Sequence, residues 1–324
     1  MFRFISLRLI LSGLLISGFT ACSKSSDQNV IDEVDKALDA LSQETPKCQS
    51  AIDILEKLGR QNKDPRYLQT LASAYACRGG FDELTLFNEV GSINSTFNLF
   101  LGSLAKISIS SEAAADSDRF KDLQTAIDII LYAGSKTTPS ALTQESIFGH
   151  RQGSNMNLQA LYMILIQLGR FSRWYGNADA TGVKGTGTSG STCFMDYTDA
   201  TAGVTATSQG GGNACTTTNA GHPNLRYATV TAAVAQKRLC QGVMLVNNLV
   251  DILANTQLSS NSSLGDISQI YADIKPYIDA AGLLHPQMPA FIAGPSQSSC
   301  QTTVAADDTV LQRYFGALFE GGML

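Results

Sequence analysis

The side chains able to do chemistry are few, and their spacing is the first clue. Three histidines, His150, His222 and His285, are the only imidazoles. General acid–base work or metal ligation would need them close to one another or to carboxylates. They lie far apart along the chain, and His222 and His285 each precede a proline, so structural roles are expected. No HExxH, G-x-S-x-G or P-loop is present. Gly182, Gly185 and Gly187 have no strand–helix frame around them and build no phosphate cradle. Asp196 and Asp199, beside Tyr197, offer oxygen ligands for calcium without the spaced carboxylates of an EF-hand. Asp32-Glu33 and Asp35 read as a solvated helix face rather than an acid/base pair. Trp174-Tyr175 ends an apolar helix, where core packing is preferred to a ligand cavity. The expectation is a protein without catalysis, metal or cofactor.

The cysteines carry a different chemistry. Cys22 stands at the end of a short leader, which leaves Cys48, Cys77, Cys193, Cys215, Cys240 and Cys300. There is no CxxC or paired Cys/His spacing to hold zinc. An even number in an exported chain points to disulfides, and six cysteines allow fifteen pairings. Cys48 opens one expected helix and Cys77 closes the next, so antiparallel packing brings them to one end. That link would contribute about 3–4 kcal/mol in the chain-entropy account. Proximity then pairs Cys193 with Cys215, and elimination leaves Cys240 with Cys300.

Helices must position these groups. Val30, Val34, Ala37, Leu38 and Leu41 mark a first amphipathic stripe, closed by Pro46. Ala51, Ile54, Leu55 and Leu58 mark a second, ended by Gly59, and Leu68, Leu71, Ala72 and Tyr75 a third. Asp64 is placed to cap the third helix, with Pro65 in its first turn and Gly79-Gly80 at its end. Phe120, Leu123, Ile127 and Ile130 continue the pattern behind a cap at Asp116 or Ser117. Leu158–Tyr175 is apolar on nearly every side, as in the buried centre of a bundle. Residues 177–226 are dense in Gly, Thr, Ser and Ala and lack period, which predicts an exposed loop clipped by its two cysteines. Helix is expected again over 227–256. Pro276 is expected to kink or end the helix carrying Ile267, Ile270 and Ile274. Pro286, Pro289 and Pro295 argue against helix in the next stretch. Val310, Leu311, Tyr314, Phe315, Leu318 and Phe319 predict a last helix packed on the body. No run alternates as a β domain would.

Leu71-Ala72, Tyr75, Gly79 and Phe81 resemble the Leu-small-x-x-Tyr-x-x-x-Gly-x-Phe spacing of a tetratricopeptide (TPR) repeat. The match covers about a tenth of the chain and lacks the repeat's tryptophan, and Leu84 stands near where alanine is usual. A second, weaker copy follows. Ala51-Ile52-Asp53-Ile54 returns as Ala126-Ile127-Asp128-Ile129, an offset of 75. Leu68-Gln69, Leu71, Gly79 and Phe81 return as Leu158-Gln159, Leu161, Gly169 and Phe171, an offset of 90. The resemblance implies stacked helical hairpins with a concave face that binds a protein or peptide.

The N-terminus has its own resemblance. A basic start, Met1 to Arg8, precedes the apolar run Leu9–Phe19 and Phe19-Thr20-Ala21-Cys22, which is similar to the lipobox of bacterial lipoproteins. The run is too short to span a bilayer, which needs about 20 residues. The resemblance implies a signal peptide over 1–22 that is cleaved before Cys22, lipidation of Cys22, and, with Ser23 next, an outer-membrane anchor facing the periplasm. Residues 23–29 are then a polar tether and 30–324 one helical domain. The chain beyond the leader keeps 23 − 2 = 21 basic against 28 acidic side chains, a formal charge of −7 that argues against nucleic acid. A protein or peptide partner is the expected role. A small-molecule-binding accessory lipoprotein, resembling the TPR-like component of some TRAP transporters, is the alternative.

Overall fold

A computed structural model describes residues 26–81, 90–108, 115–203, 215–256 and 265–323. The leader, Cys22 and Leu84 lie outside the described residues. The described residues are helical with no β-strand, apart from an isolated bridge between Cys193 and Gly221, so the all-α class holds. Among them no helix is long and apolar enough to cross a membrane.

Helix α1 runs Ser26–Leu41, four residues earlier than the tether reading of 23–29 allowed. Asp27 in the first turn complements the helix dipole and Gln28 donates to Asp32 (2.9 Å), which extends the helix into polar sequence. Helices α2 (Cys48–Glu56) and α3 (Pro65–Arg78) form the hairpin, and Asp64 accepts from the amides of Arg66 (2.9 Å) and Tyr67 (3.1 Å). At the far end Gly80 takes φ +72°, with Phe81 N–H on Ala76 C=O and Gly80 N–H on Cys77 C=O, a Schellman closure. Gly79 is helical and serves another purpose: a Cβ there would sit 2.9 Å from the Leu123 amide, so its absence lets the next layer approach.

That layer is α5 (Asp118–Leu131), capped by Ser117, whose hydroxyl accepts from Phe120 N. Helix α4 (Phe97–Ile107) precedes it, and α6 (Ala141–Phe148) and α7 (His150–Tyr175) follow across Gly149. At 26 residues α7 is about 39 Å long, and α3, α4, α5, α6 and α8 (Ala232–Asn255) pack around it. Its buried run includes Leu161, Met163, Ile164, Leu165, Leu168 and Phe171, which makes it the bundle centre. Helices α3 and α7 meet at a fixed offset. Gln159 Nε2 donates to Gln69 O (3.2 Å) and Arg170 Nη2 to Gly80 O (3.2 Å), each pair 90 residues apart. Two helices keep one offset over a length only when they run parallel and in register.

Helices α2 and α5 carry the same local bond. Gln49 donates to Asp53 (2.7 Å) in α2, and Gln124 donates to Asp128 (2.9 Å) in α5. Asp53 is exposed, whereas burial pushes the Asp128 carboxyl up to about 6, against the lowering effect of Gln124. A carboxyl whose pKa is raised by folding favours the folded state when protonated. Its penalty therefore appears as pH rises from about 4 to about 6 and is complete above that. Asp128→Asn should stabilise the protein at pH 7.5 by on the order of 1–2 kcal/mol and flatten the pH 4–6 slope of urea-unfolding stability. An unchanged slope would show that Asp128 is not its source.

The C-terminal half departs from the sequence reading in three places. Helix α8 starts at Ala232, not Tyr227, because Thr231 caps it through Val234 N. Helix α9 (Gly265–Gly282) continues through Pro276. A single proline removes one amide donor, and the rest of the ladder holds. Helix α10 (Met288–Ile292) forms despite the prolines, since Pro289 occupies its first turn, where no donor is needed. Helices α11 (Gln297–Ala306) and α12 (Thr309–Tyr314) follow, with a π-helical turn over Phe315–Glu320. Val310, Leu311, Tyr314, Phe315, Leu318 and Phe319 are all buried, so the expected C-terminal packing is present.

The cysteines form three bonds: Cys48–Cys77, Cys193–Cys215 and Cys240–Cys300. Cys193, Cys215, Cys240 and Cys300 are all buried, while Cys48 and Cys77 are only half-buried. A thiol reductant reaches a sulfur only where it is accessible. Brief treatment of the folded protein with dithiothreitol, then alkylation and peptide mass analysis, should label Cys48 and Cys77 first. Labelling of all six together would mean that reduction requires global opening.

Candidate functional site

Parallel α3 and α7, with α1 across from them, leave a groove. One section, about 600 Å³, is lined by Leu38, Leu41, Ala76, Phe81 and Met163 together with the Cys48–Cys77 disulfide. A second, about 460 Å³, shares Leu38, Ser73 and Gln159 with it and continues to Arg66, Gln69, Thr70, Asn155 and Tyr162. The sequence places these residues for simple reasons. Small side chains on α3 (Ser73, Ala76) leave room, and the Gly80 turn brings Phe81 to one end. Leu38 on the α1 rim remains 38% exposed.

The groove's polar chemistry centres on Gln159. Its Nε2 donates to Gln69 O and to Ser73 Oγ (3.0 Å), while its Oε1 is buried without a donor. A buried acceptor left open costs about 1–3 kcal/mol and invites an incoming N–H. Arg66 is the one charged residue in the lining, and it is paired with Asp35 of α1. Helix α1 itself carries Asp27, Asp32, Glu33, Asp35 and Asp39 against Lys36, an acidic flank beside the groove rather than part of its lining.

Of the five TPR-like motif residues only Phe81 lines the groove. Leu71 and Ala72 are fully buried between helices, Gly79 faces α5, and Phe81 lines the groove. The Tyr75 hydroxyl donates to Glu56 (2.5 Å), and burial with that bond holds the phenol at about 12.

The histidines have separate partners. His150 is exposed and bonded to Glu145 (2.7 Å), and His285 Nε2 lies 3.2 Å from Asp307. His222 is buried between Trp174 and Tyr175, at ring distances of 5.5 and 5.3 Å, and has no carboxylate partner among the described residues. Burial, with Arg226 and Arg238 nearby, lowers its pKa to about 4 and keeps it neutral. Asp199 grips Arg313 (2.7 Å), and Asp196 accepts from Gly221 N (2.8 Å) and faces Arg226 (3.8 Å). The one grouping of three metal-type ligands among the described residues is Cys193, Cys215 and Glu320, and its two sulfurs are joined to each other.

The expectation of an exposed contact loop over 177–226 is corrected for its described parts, 177–203 and 215–226. Lys184, Ser191, Cys193, Phe194, Met195, Ala202, Cys215 and His222 are buried. The loop is tied to the C-terminus: Glu320 accepts from Phe194 N (2.8 Å), Tyr197 OH (2.9 Å) and Lys184 Nζ (2.6 Å). Gln312 accepts from the amides of Thr198 and Asp199 (2.8 Å each). Phe194 and Met195 need a core, and the π-helical turn supplies one.

The Trp174-Tyr175 pair splits. Tyr175 is core, with its OH accepting from the Ala115 amide (3.3 Å), whereas Trp174 lines a separate cavity of about 550 Å³ with His222, Asn224 and loop residues 177–180 and 186–189. Residue order gave the hint, since a tryptophan ended an apolar helix just before polar sequence; the cavity itself depends on His222, 48 residues on. Compared with known proteins, the chain matches no family model, no curated protein and no solved structure.

Proposed function

We propose that this chain is a lipoprotein anchored at Cys22 to the bacterial outer membrane, facing the periplasm, whose TPR-like hairpins form a non-catalytic scaffold for a protein partner. The observation that carries the repeat reading is the parallel register of α3 and α7 at an offset of 90, the same offset at which their residues echo in sequence. Hairpin repeats stack equivalent helices side by side, and the groove lies along that stack. Its occupant is a peptide segment of the partner with apolar side chains for Leu38, Phe81 and Met163, a backbone N–H for Gln159 Oε1, and basic residues toward acidic α1. Binding then proceeds by shape and hydrogen bonding. The anchor rests on the lipobox-like Phe19-Thr20-Ala21-Cys22.

Ser73 is half-buried at the junction of the two groove sections, so Ser73→Arg fills the groove while α3 keeps its buried face. Affinity for a peptide selected on the native protein should fall by about tenfold or more, with thermal stability retained. Full binding by the folded variant would remove the groove from the account. Radiolabelled palmitate should label the native chain in cells and fail to label Cys22→Ser, and label retained by that variant would overturn the anchor.

The small-molecule alternative draws its support from the cavity at Trp174 and His222, which borders the end of α7 and mixes polar with aromatic walls.

A further inference from the structure

We propose that the cavity at the C-terminal end of α7 is a binding site for a neutral sugar. Its lining joins the indole of Trp174 and the imidazole of His222 to Asn224, Thr186, Thr188 and Ser189, around about 550 Å³. That volume lies within the range of small-molecule sites.

The two groups that bear charge there are engaged within the protein. Arg173 Nη1 donates to Ala105 O (3.1 Å) and Ser108 O (3.4 Å), at the carbonyl end of α4, which anchors one side of the guanidinium. Asp179 accepts from Thr181 N (2.8 Å), Thr181 Oγ1 (2.7 Å) and Val183 N (3.2 Å). Asn177 is spent at both ends, on Ser191 O and Ser189 N (2.8 Å each). The uncommitted groups are neutral. His222 Nδ1 accepts from Asn224 N (3.1 Å), which leaves the ring proton on Nε2 as a donor. The Asn224 carboxamide and the Thr188 hydroxyl have no hydrogen-bond partner among the described residues and offer both donors and acceptors. Trp174 Nε1 is a buried donor with no acceptor, so the indole meets the cavity through its ring rather than its N–H.

Such a site selects its ligand by elimination. A carboxylate would enter beside Asp179 with the only cation held by α4. An alkyl or plain aromatic ligand would leave the imidazole and amide groups unmatched. A sugar satisfies both demands, since each hydroxyl donates and accepts and the ring's C–H face packs on an indole.

Trp174 is the chain's single tryptophan, so its emission reads this cavity alone. The mature chain would be titrated with glucose, N-acetylglucosamine, maltose and trehalose, and with succinate as the anion, at up to about 50 mM, far above a millimolar Kd. Saturable change with a neutral sugar is expected. In calorimetry Asn224→Ala and Thr188→Val should each weaken it by about tenfold, the loss of one good hydrogen bond. Neither side chain supports the core, and Ser73→Arg, which alters only the groove, should bind the same sugar unchanged. No saturation with any of the four sugars would overturn the proposal. So would binding of succinate in their place, or sugar binding unaltered in both cavity variants.

Discussion

Replacing Glu320 by alanine should cost about 3–5 kcal/mol of stability, the largest effect expected of any single change here. Lys184 and Glu320 are 136 residues apart and 2.6 Å from each other, with side chains 1% and 0% exposed. The same carboxylate holds the Phe194 amide and the Tyr197 hydroxyl. Alanine would strand a buried ammonium and two buried donors at once, and each stranded donor costs about 1–3 kcal/mol. The pair itself is a different matter, because desolvation offsets most of its Coulomb attraction. The double variant Lys184→Met/Glu320→Gln should therefore recover most of the loss: the glutamine oxygen still accepts from Phe194 and Tyr197, and no charge is left alone. Urea unfolding of the three proteins measures this. A Glu320→Ala midpoint close to that of the native chain would show that the loop is not held by this contact.

Gly169→Ala should also destabilise, against the sign of helix propensity. Alanine is favoured over glycine within a helix by about 1 kcal/mol. A Cβ at Gly169, however, would lie 2.2 Å from Ser108 Oγ and 2.4 Å from Leu104 O. The serine hydroxyl can rotate away, but the carbonyl belongs to the backbone of α4 and cannot. Overpacking of this kind costs about 1–3 kcal/mol or more, so the net loss should be about 2 kcal/mol. Gly79→Ala, at the end of α3, meets Leu123 N at 2.9 Å and Arg119 O at 3.0 Å and should lose less. Equal stability of Gly169→Ala and native protein would mean that α4 and α7 are free to separate.

These two cases mark what can be read from one sequence. Local signals were legible because their physics is local. Asp64 before Pro65 could be read as a cap, Gly79-Gly80 as a stop, and the apolar stretch from Leu158 as a bundle centre. Pro276 and Pro289 misled because a proline's effect depends on whether its missing donor was needed, and that depends on its position within a turn. The loop over 177–226 misled more. Its small polar residues hide Lys184, Phe194 and Met195, and nothing nearby announces Glu320 as their partner. The groove lay between these extremes. Its two walls echo each other in sequence, but only packing shows that Gln69 and Gln159 stand side by side.

Photo-crosslinking shows whether the groove between α1, α3 and α7 takes a peptide. Peptides would be selected from a displayed library on the disulfide-intact mature chain. Benzoyl-phenylalanine would replace Leu38 or the half-buried Gln69 in the groove, or Leu142 on α6, which is 58% exposed and lies outside it. Adducts are expected from positions 38 and 69 and none from position 142. Adducts from position 142 alone, or no enriched peptide, would contradict peptide binding in the groove.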